Sequence, residues 1–346
     1  MEWQVVKGSE EEAKRFAELL KGNVAFLFVI GNTKTAEIPG ITVAGANPDL
    51  IKYTPPADVE LLHYGRCKII PVIPATPDGK PTPALITYTS LRLTRVPFFV
   101  VDSGLMEKPM VPYITIGAPV GRNIESESAM NIEDVKEAFN RAVKLGEQMS
   151  KLVDVLVIGE SIPAGTTTAG AVLRAFGVKH AVSSSMPENP VELKEKVIKK
   201  AVERVKSEDP LEIVAEVGDP VMVGVAGIAV GSSKPVLLAG GTQMAAIAHI
   251  IKRIKEGADI AIATTVYVAE DPTADISGIS PVTVIAADPG LAESSKAGLR
   301  AYAEGFVKEG VGAGGATFLA YSRGVSRDEL LIEIEKDYWE IVESKM

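Results

Sequence analysis

The chain has 346 residues, 46% of them hydrophobic and 23% charged, with a formal net charge of −9. That length supports one large domain or two unequal ones around a sizeable core. An acidic balance with no basic run argues against nonspecific nucleic-acid binding, and the single cysteine, Cys67, excludes an intrachain disulfide and any Cys-rich zinc site.

The opening residues, MEWQVVKGSEEE, are acidic and lack the apolar core of a signal peptide. Apolar runs such as 221–230 are interrupted by glycine and too short to cross a bilayer. A cytoplasmic protein with no membrane partner is expected. Lys and Glu are plentiful while Gln occurs only at Gln4, Gln148 and Gln243, a balance that suits a thermophilic source.

In chain order, Ser9 with Glu12 three residues on forms a capping box and opens a helix ending near Gly22. Val24 to Ile30 reads as a buried strand. Residues 31–95 are rich in Pro, Gly and Thr and are expected to form ligand-facing loops and short elements, with a turn at 77–81. Phe98 to Val101 is a strand, and 131–151 a helix capped by Asn131. Strands then follow at 153–158, in part of 221–230, and at 235–239, 259–268 and 282–287. They alternate with helices near 166–176, 190–206, 241–256 and 291–305. That alternation predicts an α/β fold with a mainly parallel, Rossmann-like sheet and right-handed crossovers. A last helix opens at Ser326 and runs to about 344, with an apolar stripe that must be buried. We expect residues 23–322 to form a large α/β domain carrying the active site. Residues 1–22 and 323–346 then form a smaller helical part, packed on that domain or on a dimer partner.

The most informative stretch is VIGESIPAGTTTAG, residues 157–170. An apolar strand runs into Gly159-Glu160, then a turn at Gly165-Thr166-Thr167-Thr168 that opens a helix. Such a turn offers backbone N–H groups, hydroxyls and a helix dipole to an anion; it is equally a plain helix cap. Its place at the carboxyl end of a strand favours a ligand. Glu160 is then a carboxylate beside an anion site, or a solvated loop residue. A second strand–turn–helix unit, PVLLAGGT, places Gly240 and Gly241 where backbone can approach a ligand or a neighbouring helix. Asp288, in AADPG, follows another strand and reads as a cap or turn residue in isolation. Glu309 precedes four glycines within six residues, a composition that weakens a helix start by about 1 kcal/mol per glycine relative to alanine. Such a backbone must pass close to something. His63, His180 and His249 show no metal-ligand spacing and read as structural.

Together these segments resemble the nicotinate-nucleotide:dimethylbenzimidazole phosphoribosyltransferases, in particular an archaeal and cyanobacterial branch of that family. The likeness runs through Val100-Val101-Asp102-Ser103-Gly104, Ser128 to Asp134, VIGESIPAGTTTAG, Asp209-Pro210-Leu211-Glu212, PVLLAGG, AADPG and KEGVGAGGATFLAY. Three departures stand out. Ala239-Gly240-Gly241 replaces the family's Asp-Gly-Phe, Leu291 replaces a histidine, and residues 31–95 do not align with the family's aromatic-base pocket.

The resemblance implies a phosphoribosyl transfer from nicotinate mononucleotide to an aromatic base of benzimidazole or adenine type, giving an α-ribotide for a cobamide lower ligand. It implies no metal, no cofactor and a homodimer. By the same resemblance Glu309 is the general base and Glu160 holds the acceptor or ribose. Gly165, Thr166, Thr167, Thr168, Gly240, Gly241, Gly310 and Gly312 frame the 5′-phosphate, Asp288 joins the substrate-binding set, and Lys196 falls where the family has a phosphate-binding lysine. Lys196 is alternatively a solvated member of the Lys-rich face LKEKVIKK. Two rival readings remain at this stage. One is a pyrophosphate-donor phosphoribosyltransferase, which normally carries two adjacent acidic residues where this chain has only Glu160. The other is a non-catalytic nucleotide-binding sensor.

Overall fold

The structure is a computed structural model. It describes residues 2–345 apart from 43, 45–46, 72, 76–79, 179–181 and 183–188. His180 and most of the turn expected at 77–81 therefore lie outside the described residues.

The elements follow the hydrophobic patterning. Strand β1 (Trp3–Lys7) and helix α1 (Glu10–Leu19) precede β2 (Val24–Ile30), every residue of which is buried. Helices α2 (Thr54–Tyr64) and α3 (Ala84–Thr94) lead to β3 (Phe98–Asp102) and the short β4 (Ile114–Thr115). Next come α4 (Ile132–Met149), β5 (Val155–Ser161), α5 (Gly165–Ala175), α6 (Val191–Val202), α7 (Pro210–Val217) and α8 (Pro220–Gly231). They are followed by β6 (Val236–Ala239), α9 (Thr242–Ile254), β7 (Ile260–Thr265), the one-turn α10 (Val266–Ala269) and α11 (Ile276–Ile279), and β8 (Val284–Ala287). The chain closes with α12 (Ala297–Arg300), α13 (Ala313–Ser322) and α14 (Arg327–Ile341).

One sheet has the order β1-β8-β7-β6-β5-β2-β3-β4. All neighbours are parallel except β1, which pairs antiparallel with β8. Winding runs outward from β2 to β3 and β4, then returns to β5 on the other side of β2 and proceeds to β8. The carboxyl ends of β2 and β5 thus flank the point where strand order reverses, where open α/β sheets bind ligands. The core lies in two layers. Leu27, Ile158, Leu238 and Ile262 face α4, α5, α8 and α9. Phe26, Phe28, Val157 and Leu237 face α1, α2, α3, α13 and α14. Burial on both faces explains why the central strands read as unbroken apolar runs.

Four expectations are corrected. Residues 221–230 form α8, not a strand. Asp219 caps that helix, accepting from the Met222 N–H at 3.0 Å, and Pro220 takes its first turn. Gly227 and Gly231 let it lie directly on α4, since a Cβ on either would strike Ala142 or the Val143 carbonyl. The segment 291–305 is not one helix: only 291–293 (a single 3-10 turn) and α12 are helical. The segment 1–22 is not wholly helical, because β1 joins the main sheet. Within 31–95 stand two full helices, α2 and α3. The apolar stripe of the last helix is buried within this chain, as Leu330, Ile334, Tyr338 and Ile341 of α14 pack into the second layer. Thr89 of α3 donates to Asp337 of α14 at 2.7 Å and Arg92 adds an ion pair to it. Among the described residues no helix is long and apolar enough to cross a membrane.

Candidate active site

The carboxyl ends of β5 and β6 open into one cleft that is continuous with solvent. Three segments build its floor. The end of β5 supplies Glu160 and Ser161 and leads into the start of α5, Gly165 and Thr166. The turn after β6 supplies Gly241, Thr242 and Gln243. The segment 307–311 brings in Lys308, Glu309 and Gly310. The facing wall comes from Ile41, Thr54, Asp58, Pro74, Ala75, Thr82 and Pro83.

Backbone strain concentrates here. Among the described residues, four that are not glycine have positive φ, and three of them, Ala164 (64°), Val307 (48°) and Val311 (53°), line the cleft. Left-handed backbone at such residues costs about 1–3 kcal/mol each and persists where surrounding contacts fix it. Those contacts are visible: Val311 donates its N–H to the Glu160 carbonyl at 2.9 Å, and Thr87 donates to the Val311 carbonyl at 2.9 Å. Gly310, at φ 148°, has a conformation that side-chain-bearing residues rarely adopt.

Glu309 is fixed by four donors: the N–H groups of Thr265 (2.9 Å), Gly310 (3.1 Å) and Gly314 (3.2 Å), and the Thr264 hydroxyl (3.3 Å). The run of glycines after Glu309 is explained by these contacts and by packing. A Cβ on Gly314 would strike the backbone of Thr264, and one on Gly315 would strike Ala239. Burial raises the Glu309 carboxyl to about 7, against the pull of those donors. Glu160, 7% exposed, is raised further, to about 8, by burial and then by repulsion from Asp219, Glu309 and Asp58. Asp58 is buried and raised to about 7 by that burial, opposed by hydroxyls of Thr82 (2.7 Å) and Ser161 (2.8 Å). Asp219 lies deeper, raised by burial to about 6 and held by Thr168 Oγ1 at 2.5 Å. Two carboxylates poised near neutrality beside helix N-termini can exchange protons with a bound molecule at ordinary pH.

The opposite charge gathers behind α5. Lys194 of α6 is 3% exposed and donates to Thr166 Oγ1 at 3.1 Å. Burial, with Lys308 nearby, lowers it to about 7. Lys308 lines the cleft and pairs with Asp271 at 2.6 Å. Gln243 is 4% exposed and lines the cleft, and among the described residues its Nε2 has no hydrogen-bond partner.

Of the residues singled out from sequence, Glu309, Glu160, Gly165, Thr166, Gly241 and Gly310 meet in this cleft. The others stand elsewhere. Thr167 and Thr168 are fully buried beneath the turn, Thr168 spent on the Gly165 carbonyl and Asp219. Gly240 packs against Met244, and Gly312 makes room for Phe26. Asp288 lies outside the cleft, paired with Arg327 at 2.9 Å. Lys196 is exposed, outside the cleft, and the buried lysine of that helix is Lys194. Its signal was present in the sequence: Lys194 shares a face with Val197, Ile198 and Ala201, at spacings of three, four and seven. Asp58, Asp219 and Gln243 were also missed, and only Asp219, just before Pro220, carried a local signal as a cap. His63 packs its ring 4.5 Å from that of Phe98, and His249 bonds the Ile279 carbonyl at 2.8 Å, both structural as expected. Among the described residues no three His, Cys, Asp or Glu side chains are grouped to hold a metal ion.

A doubly wound sheet whose carboxyl edge joins paired acids to helix N-termini suits transfer of a phosphorylated sugar. A phosphoribosyltransferase family model matches residues 92–272, just over half of the chain, and the chain belongs to that family. Its relatives include a UPF0284 protein of Archaeoglobus fulgidus, 64% identical over 99% of this chain and 100% of that one. Another, from Saccharolobus solfataricus, is 44% identical over 94% of this chain and 95% of that one. Among solved structures, CobT from Thermus thermophilus shares the fold, with TM-score 0.59 and 18% identity over 93% of this chain and 89% of that one. So does a nicotinate-nucleotide-dimethylbenzimidazole phosphoribosyltransferase from the same organism, with TM-score 0.56 and 16% identity over 97% and 94%.

Proposed function

We propose that this phosphoribosyltransferase moves the ribose phosphate of nicotinate mononucleotide onto a ring nitrogen of an aromatic base, giving an α-ribotide for a cobamide lower ligand. One observation supports the reading: Glu160 and Glu309, both raised toward neutrality by burial, line a single cleft together with the beginnings of α5 and α9.

The pyridinium of the donor is a cation, so its C1′–N bond breaks with the electron pair going to the ring, and nicotinate leaves with that ring neutral. The unprotonated ring nitrogen of the acceptor attacks C1′ from the opposite face, which leaves the ring cationic, and the proton on its other ring nitrogen passes to Glu309. The sugar becomes cationic as it transfers, and the Glu309 carboxylate stabilises that charge. Ribose hydroxyls donate to Glu160. The 5′-phosphate sits at the beginning of α5 beside Thr166, where the helix dipole favours an anion. Lys194 acts through Thr166, in the part first read for Lys196. The test is nicotinate release from nicotinate mononucleotide, with the ribotide product identified by chromatography. The chain is further read as a homodimer, which sedimentation in solution tests; a single-chain mass contradicts it.

A further inference from the structure

The cleft is lined by two groups of polar side chains. Thr166, Gln243 and Lys308 form one, with Lys194 bonded to Thr166, and Thr54 and Asp58 at the beginning of α2 form the other. Thr54 opens α2 and Asp58 follows four residues later, so the two share a helix face, and both line the cleft. Thr54 Oγ1 is buried and, among the described residues, has no hydrogen-bond partner. Asp58 accepts from Thr82 and Ser161, and a carboxylate with about four lone-pair sites retains room for a further donor. This wall adjoins Glu309: a Cβ on Gly310 would stand 3.4 Å from Pro83, and Pro83 follows the Thr82 that bonds Asp58. A second buried polar atom without a partner, Gln243 Nε2, lies in the same cleft. The cleft is therefore built for a ligand with polar groups at more than one edge. A phosphate meets like charge beside Asp58 and favourable charge beside Thr166, Lys194 and Lys308, which leaves Thr54 and Asp58 to the acceptor base.

We propose that Thr54 and Asp58 form the acceptor subsite and select a base whose ring carries a hydroxyl or amino group at the edge remote from the attacking nitrogen. The inference rests on the transfer reading given above. A ring hydroxyl donates to Asp58 and accepts from Thr54. A methyl at the same place leaves both polar groups facing alkyl surface, and sites built to bond a hydroxyl reject analogues that lack it.

The test uses the full chain, nicotinate mononucleotide, and a near-isosteric acceptor pair, 5-hydroxybenzimidazole and 5-methylbenzimidazole. The expected kcat/KM is at least ~30-fold higher for the hydroxyl compound, within the range such sites reach. Thr54→Val removes a hydroxyl that no protein group uses, so Tm is unchanged while that ratio falls at least ~5-fold. Equal use of the two bases, preference for the methyl compound, or an unchanged ratio in Thr54→Val overturns the assignment and leaves the transfer reading intact. Absence of nicotinate release with either base overturns the transfer reading instead. Calorimetric binding of the same two bases, to the wild type and to Thr54→Val, then decides the subsite by the same two criteria.

Discussion

The backbone N–H of Val311 bonds the backbone carbonyl of Glu160 at 2.9 Å. That contact ties the segment bearing Glu309 to the end of β5, so the two carboxylates of the site keep a fixed relation. Val311 holds a left-handed φ of 53° to make it.

Glu309→Gln should lower kcat at least ~10²-fold, the scale of general acid–base catalysis. Because Glu309 is raised to about 7, wild-type kcat should climb as pH rises through that value, and the variant should lose this limb. Binding of nicotinate mononucleotide should change no more than about threefold, since the role is proton transfer. A modest loss of stability is expected as well, because the Gln amide would turn a donor toward the N–H groups of Thr265, Gly310 and Gly314. Near-normal turnover would remove Glu309 from the role.

Four buried carboxyls, Asp58, Glu160, Asp219 and Glu309, stand at about 7, 8, 6 and 7 in the folded protein. All are raised above the values of the unfolded chain. Folding therefore favours their protonated forms, and the stability this gives is lost as pH rises through the folded values. Tm of the ligand-free protein should fall between about pH 5 and pH 8, and Glu160→Gln should flatten that fall. A Tm that rises across the same window would contradict the assignment.

Lys194→Met should weaken binding of nicotinate mononucleotide roughly tenfold, the scale of a lost charge-assisted contact. Lys196→Met should leave it within about twofold, as expected of an exposed residue. Calorimetry with nicotinate riboside, which lacks the phosphate, separates the explanations: the Lys194→Met penalty should vanish for that ligand. A penalty of equal size on both ligands would place Lys194 in the fold and not at the phosphate.

Gln243→Glu exchanges a buried, unpartnered donor for an acceptor of similar shape. Donor binding should weaken at least ~10-fold, because the new carboxylate faces the anionic side of the ligand. Gln243→Met, which only removes the donor, should lose less. Unchanged dissociation constants in both variants would show that Gln243 does not touch the donor.

Sequence patterning revealed the parallel sheet because β2, β5, β6, β7 and β8 are short apolar runs bounded by Gly, Pro or polar turns. It failed at α8 because VMVGVAGIAVG is apolar on every side: a helix buried all round has no periodicity to distinguish it from a buried strand. Two of the three glycines that lower its helix propensity, Gly227 and Gly231, let α4 approach, so tertiary packing overrides the local preference. Strand β1 was missed because an edge strand of five residues beside a capping box offers little pattern. In the site, the Gly-Thr and Glu-Gly segments were legible because both require unusual backbone. Asp58 was not, since a carboxylate inside a Pro-rich helix has no local mark; the fold alone brings it to Ser161.

Nicotinate release from nicotinate mononucleotide, measured with and without an aromatic base at ambient and elevated temperature, tests the central claim most directly. The account predicts release that depends on the base and matches the new ribotide mole for mole. Tight donor binding with no release under any base would contradict it and leave a nucleotide-binding protein in place of a transferase.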